Sequence, residues 1–144
     1  MRFQFGVSRY NKKSCFILKI KFSFCELYRK FVRAMKAHLI KEKTIRVFIT
    51  RNSSSKTSFE EWLSKAKLAD WNIPEDIKRT FPSVDLLGNS SQRVVFEISR
   101  NRFRMICKYS FGETSIRLYV CWIGSHADYD KLCKSNQQFT VFDC

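Results

Sequence analysis

Three consecutive runs of alternating residues, between positions 93 and 122, constrain the fold of this chain more than any other feature. A period of two is typical of β-strands that bury one face. Polar turns at residues 99–101 and at Gly112 separate the runs, so the pattern predicts three antiparallel strands in succession. The predicted apolar faces are Val94, Phe96 and Ile98, then Phe103, Met105, Cys107 and Tyr109, and last Ile116, Leu118, Val120 and Trp122.

The part of the chain before these runs predicts mostly helices. Residues 35–40 (MKAHLI) are typical of a short first strand, and residues 42–50 of a helix. Ser58 and Glu61 have the spacing of a capping box, which predicts that a second helix begins there. Pro74 is suited to the first turn of a third, short helix. A group of helices followed along the chain by a group of strands predicts an α+β domain, with the helices packed on one face of an antiparallel sheet.

The net charge of +14 on 144 residues indicates a polyanionic partner such as nucleic acid. Residues 1–34 hold nine Lys or Arg and one Glu, so more than half of the basic excess lies in the first quarter of the chain. This segment is either a basic arm that binds nucleic acid or an extension upstream of a domain that starts at Met35.

Six cysteines show neither a C-x-x-C pair nor the spacing of zinc ligands, so we expect no metal site and a reducing, cytoplasmic setting. No apolar run approaches the length of a membrane span, and lysines interrupt the apolar stretch near the N-terminus. We therefore expect no membrane association and no signal peptide.

Residues 122–132 (WIGSHADYDKL) concentrate polar side chains directly after the last predicted strand. Ser125 and Asp128 are spaced as the N-cap and third residue of a helix, which puts His126 at its first position. The helix dipole disfavours positive charge there. Tyr129 and Asp130 follow three and four residues later, so they share a helical face with His126. The alternative is a short helix whose polar residues simply face water.

Basic residues occupy the non-core face of the predicted sheet. The middle strand places Arg102, Arg104 and Lys108 on that face, and Arg93 has the same parity on the neighbouring strand. These side chains either form an ordinary solvated surface or grip phosphates beside the His126 segment.

Four segments together resemble the HigB-type toxins of bacterial toxin–antitoxin systems, within the RelE superfamily. They are residues 71–89, residues 93–98 (RVVFEI), residues 101–106 (NRFRMI) and residues 122–133, in which GSHADYD is the most specific element. The resemblance runs colinearly from Met35 to about Cys133. Since members of that family begin with a Met and a short strand, we expect residues 1–34 to be an extension and residues 35–144 to be the toxin domain.

The resemblance implies a small RelE-like domain with a twisted antiparallel sheet. It also implies an endoribonuclease, an mRNA interferase that cuts mRNA in the ribosomal A site without a cofactor. The expected partners are mRNA, the ribosome and a HigA-type helix-turn-helix antitoxin, with operator DNA bound only through the antitoxin complex.

The superfamily's reaction is attack of a ribose 2′-OH on the adjacent phosphate, giving a 2′,3′-cyclic phosphate. It needs proton transfer and stabilisation of charge on phosphorus. We expect His126 to transfer protons, Asp130 to orient its imidazole, and Tyr129 to donate a hydrogen bond or stack on a base. Arg104 would hold the scissile phosphate, and Lys131 is a second candidate for that charge.

Arg93, Arg102 and Lys108 are the remaining candidate phosphate contacts. Two other functions remain open at this point. The chain could be a non-catalytic module that binds RNA or the ribosome, in which residues 1–34 dominate affinity. It could also be a decayed toxin that acts only in a repressor complex with its antitoxin.

Overall fold

A computed structural model describes residues 36–141 of the chain. The predicted extension, residues 1–34, lies outside the described residues, as do Met35 and residues 142–144, so the division at Met35 stays a prediction. The described elements are β1 (Lys36–Ile40), α1 (Glu42–Arg51), α2 (Lys56–Leu68), α3 (Pro74–Thr80), β2 (Asp85–Leu87), β3 (Arg93–Ile98), β4 (Phe103–Phe111), β5 (Ser115–Ser125) and α4 (His126–Lys134).

The strands form one sheet in the order β1-β5-β4-β3-β2, which confirms the predicted α+β class. Strands β2 to β5 pair as antiparallel neighbours. The edge strand β1 differs from the expectation of a fully antiparallel sheet, because it pairs with β5 in parallel, with Lys36 opposite Ser115. A parallel pairing needs a long crossover connection, and here the helices and hairpins between β1 and β5 provide it. The three-residue β2 was not predicted, since it is too short to show a period.

The helices α1, α2 and α3 contribute the core on one face of the sheet. Trp62 of α2 meets Phe96 of β3 edge to face, with ring centroids 5.0 Å apart, and Phe81 stacks on Trp62 at 5.8 Å. Edge-to-face and offset rings are the arrangements that aromatic quadrupoles favour. The helical aromatic residues therefore belong to the core, as their spacing predicted.

Helix α2 begins earlier than the capping pattern predicted. A 3₁₀ turn, Ser53–Ser55, leads directly into the helix, which starts at Lys56 with Ser55 as its N-cap. The buried hydroxyl of Ser55 donates to the carbonyl of Asn52 at 2.6 Å. Ser58 thus lies inside the first turn of α2, and the prediction of a capping box at Ser58 and Glu61 is wrong. The prediction that Pro74 opens α3 is confirmed.

A β-bulge in β5 determines which side chains face the helices. Val120 lies opposite Cys107 and Trp122 opposite Ile106, so Cys121 is an extra residue in the ladder. Such a residue shifts the alternation of the strand by one. Ile123 consequently packs against the core, while Trp122 turns to the opposite face. The prediction that Trp122 continues the core face was therefore wrong. We call the sheet face away from α1, α2 and α3 the site face.

None of the helices between residues 36 and 141 has the length and hydropathy needed to cross a membrane.

Candidate active site

Helix α4 begins where the sequence predicted. The Ser125 hydroxyl accepts a hydrogen bond from the backbone N–H of Asp128 at 3.2 Å and donates one to the Asp128 carboxylate at 2.6 Å. The hydroxyl holds the pKa of Asp128 below its usual value, and Lys131 lowers that pKa further. These contacts stabilise the first turn of α4 and place His126 at its first position.

The His126 imidazole faces along α4 towards Asp130. Its Nε2 atom lies 3.5 Å from Oδ2 of Asp130, as expected for residues four apart on a helix. Its Nδ1 atom is buried and has no hydrogen-bond partner in the described part of the chain. The backbone N–H of His126 donates to the carbonyl of Arg102 at 3.1 Å, which ties the start of α4 to the beginning of β4.

Arg104 lies on the site face beneath α4. Its guanidinium forms an ion pair with Glu97, the residue opposite it on β3, and its carbon atom lies 5.7 Å from the centre of the Tyr129 ring. Only 12% of the side chain is exposed, and Nε is buried without a hydrogen-bond partner among the described residues. The guanidinium is therefore fixed in place with donor capacity left over.

Glu97 and Trp122 are candidate site residues that the sequence analysis did not predict. Glu97 could have been found, because hairpin pairing places it directly opposite Arg104 with the same parity. Trp122 was concealed by the bulge at Cys121. We call Glu97, Arg104, Trp122, His126 and Tyr129 the site group.

The Tyr129 hydroxyl remains protonated over a wide range of pH. Burial raises the pKa of Tyr129 above that of an ordinary tyrosine, and a hydrogen bond with Cys133 and the carboxylate of Asp85 act in the same direction. Arg104 opposes these effects. A protonated phenol donates a hydrogen bond, so Tyr129 is suited to a donor role and not to that of a base.

The indole of Trp122 lies close against the backbone of Gly124. A Cβ atom built on Gly124 would lie 2.6 Å from Cη2 of the indole and closer still to Cζ2, so only glycine leaves room for the ring. The ring centroids of Trp122 and Tyr129 are 6.4 Å apart with a tilt of 41°. The two rings form an aromatic surface beside Arg104.

The other predicted cations lie apart from the site group. Arg93 is 1% exposed, and its guanidinium donates to the carbonyl of Val141 at 2.8 Å, beneath the C-terminal segment. The structure therefore gives Arg93 a packing role and does not bring it to the expected phosphate position. Lys108 lies opposite Arg93, four residues and thus roughly 13 Å along the strand from Arg104. Lys131 is 77% exposed and binds Asp128 at 3.1 Å, on the solvent side of α4.

Arg102 is exposed and lines a cleft of about 720 Å³ at the turn between β3 and β4. Lys65, Arg100, Glu61 and Glu97 also line it. Since Glu97 belongs to both, this polar cleft borders the site group. Within residues 36–141, no three His, Cys, Asp or Glu side chains gather as metal ligands.

A five-stranded sheet with helices on one face and a largely buried arginine beneath α4 on the other is consistent with a small RelE-like domain. The sequence comparison gives the family. The chain belongs to the HigB toxin family, described as the RelE-like toxic component of a toxin–antitoxin system, whose sequence model matches residues 55–132, just over half of the chain.

A curated relative is the mRNA interferase HigB of Escherichia coli O6:H1. It is 31% identical over 68 residues, which make up 47% of this chain and 64% of the relative. The matched segment thus spans less than two thirds of that protein. Every residue of the site group lies within the 55–132 family match, whereas β1 and α1 precede it.

Proposed function

We propose that this chain is an mRNA interferase, an endoribonuclease that cuts mRNA in the ribosomal A site as the toxin of a toxin–antitoxin pair. The observation that carries the proposal is the fixed guanidinium of Arg104, held between Glu97 and Tyr129 beside the start of α4. A pre-oriented cation next to an imidazole and a phenol is the set of groups that phosphodiester cleavage by an internal hydroxyl requires. The relative named as an mRNA interferase supports it.

The proposed reaction needs no group outside the chain and its RNA. The 2′-OH gives its proton to His126 as the 2′ oxygen bonds to phosphorus. The bond from phosphorus to the 5′ oxygen breaks, and the protonated imidazole returns the proton to that oxygen, so the products are a 2′,3′-cyclic phosphate and a 5′-hydroxyl end. Charge develops on the phosphoryl oxygens during this exchange, and the guanidinium of Arg104 stabilises it. Because Glu97 already fixes one part of the guanidinium, the remaining N–H groups can serve the phosphate without reorganisation.

His126 is the proposed acid–base residue. With Nε2 directed at Asp130, the lone pair of a neutral imidazole lies on Nδ1. Nδ1 is buried in the unbound chain, so substrate binding has to uncover it. The protonated hydroxyl of Tyr129 donates a hydrogen bond to a phosphoryl or leaving oxygen. Arg102, Lys108 and Lys131 contact phosphates further along the RNA.

The partners follow from the same proposal. A HigA-type antitoxin with a helix-turn-helix neutralises the toxin, and operator DNA is bound only through their complex. The toxin acts in the cytoplasm, where its mRNA and ribosomes are.

The test is induced expression of the full chain with mapping of mRNA 5′ ends. We expect growth arrest and new ends inside translated codons, and we expect both to disappear in His126→Ala and Arg104→Ala. Lys134→Ala, an exposed change on the same helix, is the matched control and should cut like the parent chain.

Two outcomes would contradict the proposal. If His126→Ala and Arg104→Ala both cut mRNA as well as the parent chain, the assignment of these two residues to the site would be wrong. Growth arrest without new 5′ ends would favour the non-catalytic module, for which the charge of +14 is the supporting observation.

A further inference from the structure

A groove separates α1 from the C-terminal half of β5. A cleft of about 340 Å³ is lined by Thr44, Val47, Phe48 and Arg51 on one side and by Cys121, Trp122 and Ile123 on the other. An adjoining depression of about 400 Å³ shares Thr44 and Val47 and adds Lys41 and Lys43. We call the two together the α1 groove.

The α1 groove combines an apolar floor with cations at both ends. Val47 is 41% exposed and lies in both parts of the groove. Lys43 and Arg51 are exposed, and neither has an acidic partner among the described residues. Arg46, on the same helix, differs because it binds Glu42 at 2.8 Å. A cationic rim around an apolar and aromatic wall is typical of surfaces that bind single-stranded nucleic acid.

Trp122 connects the α1 groove to the site group. Trp122 is one of the residues that line the groove, and its indole lies on the site face beside Tyr129, whose ring lies over Arg104. A strand of RNA with its scissile phosphate at Arg104 therefore meets Trp122 next and the groove after it. The volume of the cleft is at the lower end of the roughly 300–1,000 Å³ of ligand pockets, which suits one or two bases and not a folded partner.

We propose that the α1 groove binds the single-stranded RNA that flanks the scissile phosphate. One base packs against Trp122 and Val47, and the adjoining phosphates contact Arg51 and Lys43. This inference rests on the proposed nuclease function, because that function makes RNA the ligand of the neighbouring site group. It assigns to α1 a role in holding substrate that the family match, which starts at residue 55, does not cover.

The test uses the full chain carrying His126→Ala, so that bound RNA is not cut. The probe is a fluorescein-labelled oligoadenylate of twelve nucleotides, and fluorescence anisotropy gives the Kd at several salt concentrations. We expect Arg51→Gln to weaken binding about fivefold and to reduce the salt slope by about 0.7. Trp122→Leu should weaken binding by about fivefold or more, since base stacking is lost.

Arg46→Gln is the matched control, because it removes the same charge from the same helix outside the groove. We expect its Kd to stay within about twofold of the parent. Thermal melts of each variant show whether α1 remains folded. Equal losses in Arg46→Gln and Arg51→Gln would overturn the proposal, since affinity would then follow net charge alone.

Two further outcomes separate this inference from the proposed function and from a protein ligand. If the chain that keeps His126 cuts mRNA but the groove variants bind RNA normally, the groove proposal fails and the nuclease stands. If the groove variants lose RNA binding while the chain that keeps His126 cuts nothing, the groove stands and the nuclease fails. If Val47→Asp leaves RNA binding intact but prevents co-purification of the antitoxin, the groove is a protein interface and the proposal is overturned.

Discussion

The guanidinium carbon of Arg104 lies 5.7 Å from the centre of the Tyr129 ring, so a candidate site residue on the sheet is also a packing contact for α4. A cation held over an aromatic face contributes about 0.5–2 kcal/mol, depending on its exposure. Because Arg104 is largely buried and contacts Tyr129, we expect changes at Tyr129 to affect both the stability of α4 and the position of the guanidinium.

Two substitutions at Tyr129 separate the contribution of its ring to stability from that of its hydroxyl. Tyr129→Phe keeps the ring over Arg104 and should lower the free energy of unfolding by less than about 1 kcal/mol, whereas Tyr129→Ala should lower it by about 1–3 kcal/mol. Urea denaturation of the full chain measures both. Equal losses in the two variants would mean that the hydroxyl, and not the ring, carries the contribution of Tyr129 to stability.

The raised pKa of Tyr129 predicts a late step in an alkaline titration. Tyrosine ordinarily ionises at a pKa of about 10, and burial moves Tyr129 above that value. Since the folded state disfavours the phenolate, this contribution to stability is complete below the ordinary pKa and is lost as pH rises through the folded one. When the alkaline titration is followed by the ultraviolet absorbance of phenolate, the ionisation that occurs at the highest pH should be absent in Tyr129→Phe. A titration of Tyr129→Phe that retains this step would contradict the assignment.

Gly124 is predicted to be intolerant of any side chain. Gly124→Ala places a methyl group against the indole of Trp122 and should lower the free energy of unfolding by about 1–3 kcal/mol. The same change made together with Trp122→Leu should cost less, because the bulky ring is gone. Four urea curves complete this cycle. Additive losses would show that the indole is not what excludes a methyl group.

Arg93 is predicted to affect folding and not RNA affinity. Arg93→Gln removes the charged donor to the carbonyl of Val141 from a buried position and should cost about 1–3 kcal/mol of stability. Arg102→Gln, at an exposed position, should change stability by less than about 0.5 kcal/mol. Folded Arg93→Gln chain should bind the oligoadenylate like the parent. A higher Kd without loss of stability would indicate that Arg93 contacts phosphate after all.

Local patterns predicted the parts of the fold that depend on local chemistry. Alternation predicted β3, β4 and most of β5, and the spacing of Ser125 and Asp128 predicted the start of α4. The bulge could not be seen, because Val120, Cys121, Trp122 and Ile123 are all apolar and fit either parity.

Features that depend on distant segments were not predictable either. The partner of β1 lies at the other end of the described chain, and alternation within a strand does not identify its neighbour. Arg93 has the parity of a surface residue, and its hydrogen bond to the carbonyl of Val141 joins it to a segment that is distant in the sequence. The sequence therefore predicted that the candidate residues His126, Tyr129 and Asp130 share one helix, but it did not predict the pairing of Arg104 with Glu97 across two strands.

The parallel pairing of β1 with β5 constrains the order in which the chain can fold during its synthesis. The first described strand leaves the ribosome long before the strand beside which it must lie, so it waits without a partner while the helices and hairpins are made. Helix α4 is made later still. Without α4, Arg104 is uncovered and His126, the first residue of that helix, is not held in place. The proposed nuclease consequently has no complete site until α4, the last described α-helix, has been made.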